Sequence, residues 1–299
     1  MKEKGKAMDF NNIYAGIVLF NADENRLKEN INSLLLQVKK VIVYDNGSDN
    51  INKIFAQYNK NSKIEFILSN KNNGIAHALN CILRWGLEHE YDWCLTMDQD
   101  SVADVSMLKN MTYFLRRAEN NVKVLVPNVL DINLKTIPNI QKNYTYIDNS
   151  KQAISSGSLV NIDYFFNLGG FYERMFIDYV DTDYFERVLQ SGAKIVRVND
   201  AILYHEVGKL RTISFLNFKI LCSNHNSFRR YYQVRNRLYF EKRYHNNFSF
   251  FKEAIRLFLG TIKIVIFEEN KFEKTKATVR GFTEFKDLLH GKDFIRFSR

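Results

Sequence analysis

Apolar and polar positions along the first hundred residues alternate between two periods. Tyr14 to Phe20 is a branched, almost wholly apolar run, which predicts a buried strand. Leu27, Ile31, Leu34, Leu35 and Val38 then recur at one helical face, with Asp23 or Asn21 placed to cap it. Val41 to Tyr44, Ile64 to Leu68 and Trp93 to Met97 repeat the strand signal, and Ile75 to Leu87 repeats the helical one. Strands alternating with helices predict a mostly parallel sheet covered on its faces. Each strand runs into polar residues, among them Asp45, Asn70 and Asp98, and in such sheets ligands bind beyond the carboxyl ends of the strands.

Beyond residue 120 the strand signals thin out. Val122 to Val126, the stretch Ile154 to Ile162 broken by Ser-Ser-Gly-Ser, and Lys194 to Val198 read as strands, with a helix over Asp181 to Leu189. After His205 the chain turns basic, aromatic and helical, which sets a boundary near residue 210. Residues 1–210 form one unit in this reading, with halves at about 12–100 and 101–210, and 211–299 form a basic helical extension.

Composition sharpens this division. The chain has 299 residues, 45% hydrophobic and 25% charged, with two prolines, as a folded globular protein does. The net charge of +10 sits at one end: residues 209–299 hold 20 Lys/Arg against 8 Asp/Glu, and the rest sums to −2. Such a tail fits an anionic partner, a lipid surface or a nucleic acid. Phe250 to Phe267 is its most apolar part. Ala254 to Phe267, interrupted by Arg256 and Lys263, reads either as an amphipathic helix lying in a membrane surface or as a helix packed on the main domain or another subunit. Cys81, Cys94 and Cys222 lack metal or redox spacing and read as reduced core residues. The polar first twelve residues lack the apolar stretch of a signal peptide, so the expected compartment is the cytoplasm, with peripheral contact at the inner face of the membrane.

Four places carry candidate chemistry. Asp98-Gln99-Asp100-Ser101 puts two carboxylates one residue apart at a strand end, where they could hold Mn²⁺ or Mg²⁺ against a diphosphate or simply form a polar turn. Asp45-Asn46-Gly47-Ser48 ends another strand with an acid able to accept from a base or ribose, and is equally good turn chemistry. Asn72-Asn73-Gly74-Ile75-Ala76 opens a helix with small residues, which suits either close approach of a nucleotide or helix–sheet packing. Asp178, Asp181 and Asp183 lie within six residues at a helix start, where one could act as a general base or all could serve the helix dipole.

The ordered set Asp45, Asn73-Gly74-Ile75-Ala76, Asp98-x-Asp100, Val180-Asp181-x-Asp183 and His205 resembles an inverting family 2 glycosyltransferase over roughly residues 12–240. The resemblance implies a GT-A type fold, a Rossmann-like, mostly parallel α/β sheet flanked by helices. It implies that Asp45 contacts the donor base and that Asn73 and Gly74 border the nucleotide. It places Asp98 near ribose or metal, makes Asp100 the direct metal ligand, and has His205 complete the metal site or meet the diphosphate. Asp181 takes the second position of the family's Glu-Asp pair and is the implied base. Val180 replaces the Glu, which leaves Asp178 and Asp183 as substitutes.

Tyr231-Tyr232-Gln233-Val234-Arg235-Asn236 resembles a segment that follows the core in bacterial members, with Arg235 implied at the diphosphate or an acceptor phosphate. The processive Gln-x-x-Arg-Trp motif is not present, which implies transfer of a single sugar. Tyr14 to Asn21 together with Asp98 to Ser101 looks most like rhamnosyltransferases, so the implied donor is dTDP-rhamnose or a UDP-sugar. The implied acceptor is a saccharide, with lipid linkage suggested by the basic tail, in cell-surface polysaccharide synthesis; a homodimer is left open. Two rival classes fit less well. A sugar nucleotidyltransferase needs a Gly-rich, Arg-containing loop after the first strand, and Phe20-Asn21-Ala22-Asp23 is not one. A nonenzymatic nucleic-acid binder finds charge in the tail but no recognisable binding motif.

Overall fold

A computed structural model describes residues 12–131, 142–205, 211–215, 218–222 and 225–290. Residues 1–11, the Glu206-Val207-Gly208 end of the His205 motif and the side chain of Cys222 lie outside the described residues.

The alternation expected from the sequence is what the first hundred residues form: β1 (Ile13–Leu19), α1 (Glu24–Leu35), β2 (Val41–Asp45), α2 (Ile51–Tyr58), β3 (Ile64–Leu68), α3 (Ile75–Glu88) and β4 (Trp93–Asp98). These four strands pair in parallel in the order β3-β2-β1-β4. Every residue of β2 is buried, as a central strand covered on both faces must be, whereas β3 at the edge exposes Leu68. Asp23 caps α1 through a carboxylate oxygen 2.9 Å from the Arg26 amide.

The second half adds β5 (Val102–Ala103), α4 (Met107–Leu115), β6 (Val122–Asp131), β7 (Tyr144–Ile147), β8 (Ser158–Asn161), α5 (Ile162–Asn167), α6 (Val180–Gln190) and β9 (Lys194–His205). It extends the sheet past β4 in the order β8-β6-β9, with β8 antiparallel to both neighbours. β5 and β7 pair with opposite ends of the long β9.

The run Ile154 to Ile162 differs from its reading as one strand. Only Ser158–Asn161 is extended in the sheet; the preceding residues form a loop over the end of β4, and α5 starts at once, capped by Asn161. Gly157 causes the break. It sits at φ 75°, and a Cβ there would lie 2.7 Å from the Pro127 ring.

Two apolar clusters fill the two faces of the sheet. Leu27, Ile31 and Ile54 with Met111 cover one face, and Leu79, Ile82, Phe165 and Tyr184 cover the other. After β10 (Arg211–Phe215) and β11 (Phe218–Cys222) the chain is helical: α7 (Ser227–Tyr244), α8 (Phe250–Phe267), α9 (Lys271–Glu284) and α10 (Lys286–Leu289). The helices are not detached from the sheet, since Tyr239 and Phe240 of α7 enter the second cluster and are buried there. A small third cluster of Val234, Leu238, Leu257 and Phe285 joins α7, α8 and the segment after α9.

Candidate active site

The parallel strands end at a cleft of about 450 Å³. Its walls come from the ends of β1 and β4, the start of α3, the Ser155 loop, residues 176–181 and Arg229 of α7. This is the crevice in which a doubly wound sheet presents strand-end polar groups to a ligand.

Asp98 and Asp100 line one wall, with His205 grouped against them. A ligating atom from each lies within 4.8 Å of those of the other two. His205 arrives from the end of β9, with Nδ1 2.8 Å from Ser101 Oγ and 3.7 Å from Asp100 Oδ1. Ser101 Oγ is 2.7 Å from Ser156 Oγ, which accepts from the Asp98 amide at 3.1 Å. This chain of hydroxyls fixes the acids and the imidazole against the loop broken by Gly157. Gln99, between the two acids, accepts from the Phe20 amide at 2.8 Å and so ties the end of β4 to the end of β1.

Burial first, then the charges of Asp100 and Asp181, push the Asp98 carboxyl up to about 7. Two carboxylates and an imidazole within reach of one another offer the O and N ligands that a divalent cation takes. The residues present therefore fit a divalent cation that accepts both carboxylate and imidazole.

Residues 176–181 form the facing wall. Phe176, Asp178 and Tyr179 all adopt left-handed φ values, 63°, 61° and 65°, which non-glycine residues hold only under constraint. The constraint comes from Asn236 of α7. Its fully buried amide nitrogen donates to the carbonyls of Met175, Ile177 and Asp178 at 2.9, 2.8 and 2.9 Å. From the other side the Ile75 amide donates to the Phe176 carbonyl at 2.7 Å. Gly74, at φ 86°, lets the two backbones meet, because a Cβ there would lie 2.7 Å from the Phe176 ring and carbonyl.

This strained turn delivers Asp181 at the start of α6. Its carboxylate accepts from the Thr182 amide at 2.8 Å and from the Ser155 amide at 3.3 Å. Burial raises its pKa, and those two backbone hydrogen bonds oppose the rise.

The three acids of this segment have different surroundings. Asp178 lines the cleft but is held by the Arg229 guanidinium, 3.1 Å away through both Nε and Nη2. Asp183 does not reach the cleft. It is fully buried behind α6, paired with Arg187 at 3.0 Å and accepting from Tyr244 at 2.7 Å, so both oxygens are committed to structure.

Three other expected site residues also lie outside the cleft lining. Asp45 is buried and turns back to accept from the Gly47 and Ser48 amides, at 3.1 Å each, to hold the turn after β2. Asn73 donates through its amide to Asn46 and through its side chain to Ser69, and it is Asn46 and Asn72 that face the cleft. Arg235 points away, over the rings of Tyr231 and Tyr232 and onto the Arg174 carbonyl. Gly74, Asp98, Asp100 and Asp181 face the cleft as expected, with His205 grouped against the two strand-end acids.

A cleft at the strand ends, with Asp98 and Asp100 on one wall and the half-buried Asp181 carboxylate on the other, is where this α/β fold gathers its acids. Residues 14–175 match glycosyl transferase family 2, and the chain belongs to that family and is a glycosyltransferase. It is 29% identical to the dTDP-rhamnosyl transferase RfbF of Shigella flexneri over 290 residues, 90% of this chain and 93% of that one. Among solved structures it is similar to S. aureus TarS 1-349 in complex with UDP-GlcNAc, with a TM-score of 0.57 at 15% identity, covering 91% of this chain and 81% of that one. It is also similar to GalNAc-T7 with UDP, GalNAc and Mn²⁺, with a TM-score of 0.59 at 12% identity, covering 92% of this chain and 56% of that one. These likenesses establish the GT-A type fold with its C-terminal helices.

Proposed function

We propose that the protein is an inverting, metal-dependent glycosyltransferase that moves one sugar from dTDP-rhamnose to a saccharide acceptor in the assembly of a cell-surface polysaccharide. The observation that carries this reading is that Asp98 and Asp100, grouped with His205, line the same cleft as Asp181. The 29% identity to a dTDP-rhamnosyl transferase over nearly the whole chain favours that donor over a UDP-sugar.

In this mechanism Asn46, Asn72 and Gly74 border the nucleotide, and Asp98, Asp100 and His205 hold the cation. When bound, Mn²⁺ or Mg²⁺ supplies positive charge to the diphosphate oxygens as they leave the sugar. Asp181 accepts the proton of the acceptor hydroxyl while that oxygen bonds to the anomeric carbon. The bond from that carbon to the diphosphate breaks on the opposite face, so the configuration inverts and the nucleoside diphosphate departs with the bonding pair. Asp181 suits the task better than its neighbours, because Asp178 is neutralised by Arg229 and Asp183 is committed to Arg187 and Tyr244.

The test is thermal stabilisation by dTDP, UDP and their sugar conjugates with and without Mn²⁺, on wild type and Asp100→Ala. A Mn²⁺-dependent shift, larger for dTDP compounds and lost in the variant, is expected. A folded protein that shifts with none of them would remove the donor site.

A further inference from the structure

Of the helices beyond β11, α8 is the one whose surface is the least explained by the fold. It touches the rest of the protein chiefly through Leu257 and Ile264, which are buried. At 100° per residue, Phe251, Ile255, Phe258, Leu259, Ile262 and Ile266 fall in one arc of roughly 100° on the opposite side. All six are exposed, Phe251 at 75% and Phe258 at 65%, so none of the described residues covers them.

The polar residues of α8 are placed with the same regularity. Lys252, Arg256 and Lys263 fall side by side along one flank of the apolar arc. The helix's single carboxylate, Glu253, is turned inward, where it receives Arg237 at 3.1 and 3.2 Å and lies 3.8 Å from Arg256, which stays 63% exposed. The exposed arc and its flank thus hold large apolar side chains and cations but no acid.

We propose that this face of α8 rests in the plane of an anionic lipid surface, with the apolar arc entering the boundary between headgroups and acyl chains and the three cations meeting lipid phosphates. At 18 residues α8 is about 27 Å long. No described helix is long and apolar enough to cross a membrane, so the helix lies along the surface. Charge complementarity decides the occupant. A second copy docked on the same face would offer Lys252 and Arg256 no acid from its own exposed arc, whereas acidic lipid supplies negative charge along that flank. This inference stands on α8 alone and is independent of the donor and metal assignments.

The experiment is co-sedimentation of the full chain with vesicles of phosphatidylcholine alone or mixed with phosphatidylglycerol, across a salt series. Two variants accompany it, Phe251→Ser/Phe258→Ser/Ile262→Ser and Lys252→Gln/Arg256→Gln, all at exposed positions, with melting temperature as the folding control. Wild type is expected to bind the acidic vesicles and to be released by salt. The triple serine variant should lose at least about tenfold in binding. The double glutamine variant should lose roughly 25-fold on acidic vesicles, about fivefold per cation, and little on neutral ones. Failure of the folded wild type to bind acidic vesicles overturns the proposal. So does a triple variant that binds as wild type while changing from dimer to monomer, which would assign the face to a second copy.

Discussion

Asp98→Asn should stabilise the protein in the absence of metal and abolish its stabilisation by metal. In the folded chain burial, Asp100 and Asp181 hold the Asp98 carboxyl near 7, against 3.8 for a free one. A difference of about 3 pH units corresponds to on the order of 4 kcal/mol against the ionised form. Water and salt reaching the open cleft reduce this to roughly 2 kcal/mol. The sign follows from proton binding. Near pH 4 the folded carboxyl is protonated and the penalty is small; from there to pH 7 the unfolded chain releases the proton while the folded one keeps it, so stability falls as pH rises. Above about pH 7 the penalty is complete. The amide carries no charge, so its advantage should be negligible near pH 4 and full at pH 8, where roughly 2 kcal/mol is about 3 °C in a chain of this size. Thermal melts in chelator at pH 5 and pH 8 measure it. Adding Mn²⁺ at pH 8 should reverse the order, because only the wild type keeps both acids. A variant no more stable than wild type at pH 8 in chelator, or equally favoured at both pH values, would refute the electrostatic account of the cluster.

Asp181→Asn should keep the fold and donor binding but lower kcat roughly 100- to 10,000-fold. Because burial raises the Asp181 pKa, wild-type kcat should fall on the acid side at a pH above the ordinary carboxylate range. Asp183→Asn, by contrast, leaves the buried Arg187 short of its partner and should cost about 3 kcal/mol of stability, read in urea melts. Asn236→Ala takes the donor from the Ile177 and Asp178 carbonyls at about 1 kcal/mol each, while Met175 keeps the Ile177 amide, and Asn236→Asp, which cannot donate, should be no better; both should also lose transfer activity, because the turn they release carries Asp181. Gly74→Ala drives a Cβ into Phe176 at a left-handed φ and should cost about 2 kcal/mol together with nucleotide binding, measured by titration calorimetry.

What could be read from residue order and what could not divide along physical lines. Strands β1, β2 and β4 are covered on both faces and β3 is a half-buried edge, and their continuous apolar runs mark all four to within a residue or two. β5 and β7 were not legible, because they are two and four residues long and are defined by pairing with β9, a partner a hundred or fifty residues away in the chain. Backbone geometry at the site was equally silent. Nothing in Phe176-Ile177-Asp178-Tyr179 announces three left-handed residues, since the strain is imposed by hydrogen bonds from α3 and α7. The acids themselves were visible at strand and helix ends, but proximity in sequence did not tell which of them face the cleft. Asp45 and Asp183 are consumed away from it, by two backbone amides and by Arg187 respectively, and Asp178, though it lines the cleft, is paired with Arg229.

The Arg235-Asn236 pair shows the reason most directly. The charged member invites a role at a diphosphate, yet successive residues on a helix point about 100° apart. On α7 that turn sends Arg235 toward the Tyr231 and Tyr232 rings and brings Asn236 to the catalytic turn. The two hydrogens of a neutral amide can be shared among three carbonyls there without adding charge beside Asp178 and Asp181. A guanidinium in its place would compensate the proposed base and lower its proton affinity, so this helix face favours the residue that holds the backbone and leaves the carboxylate's charge available.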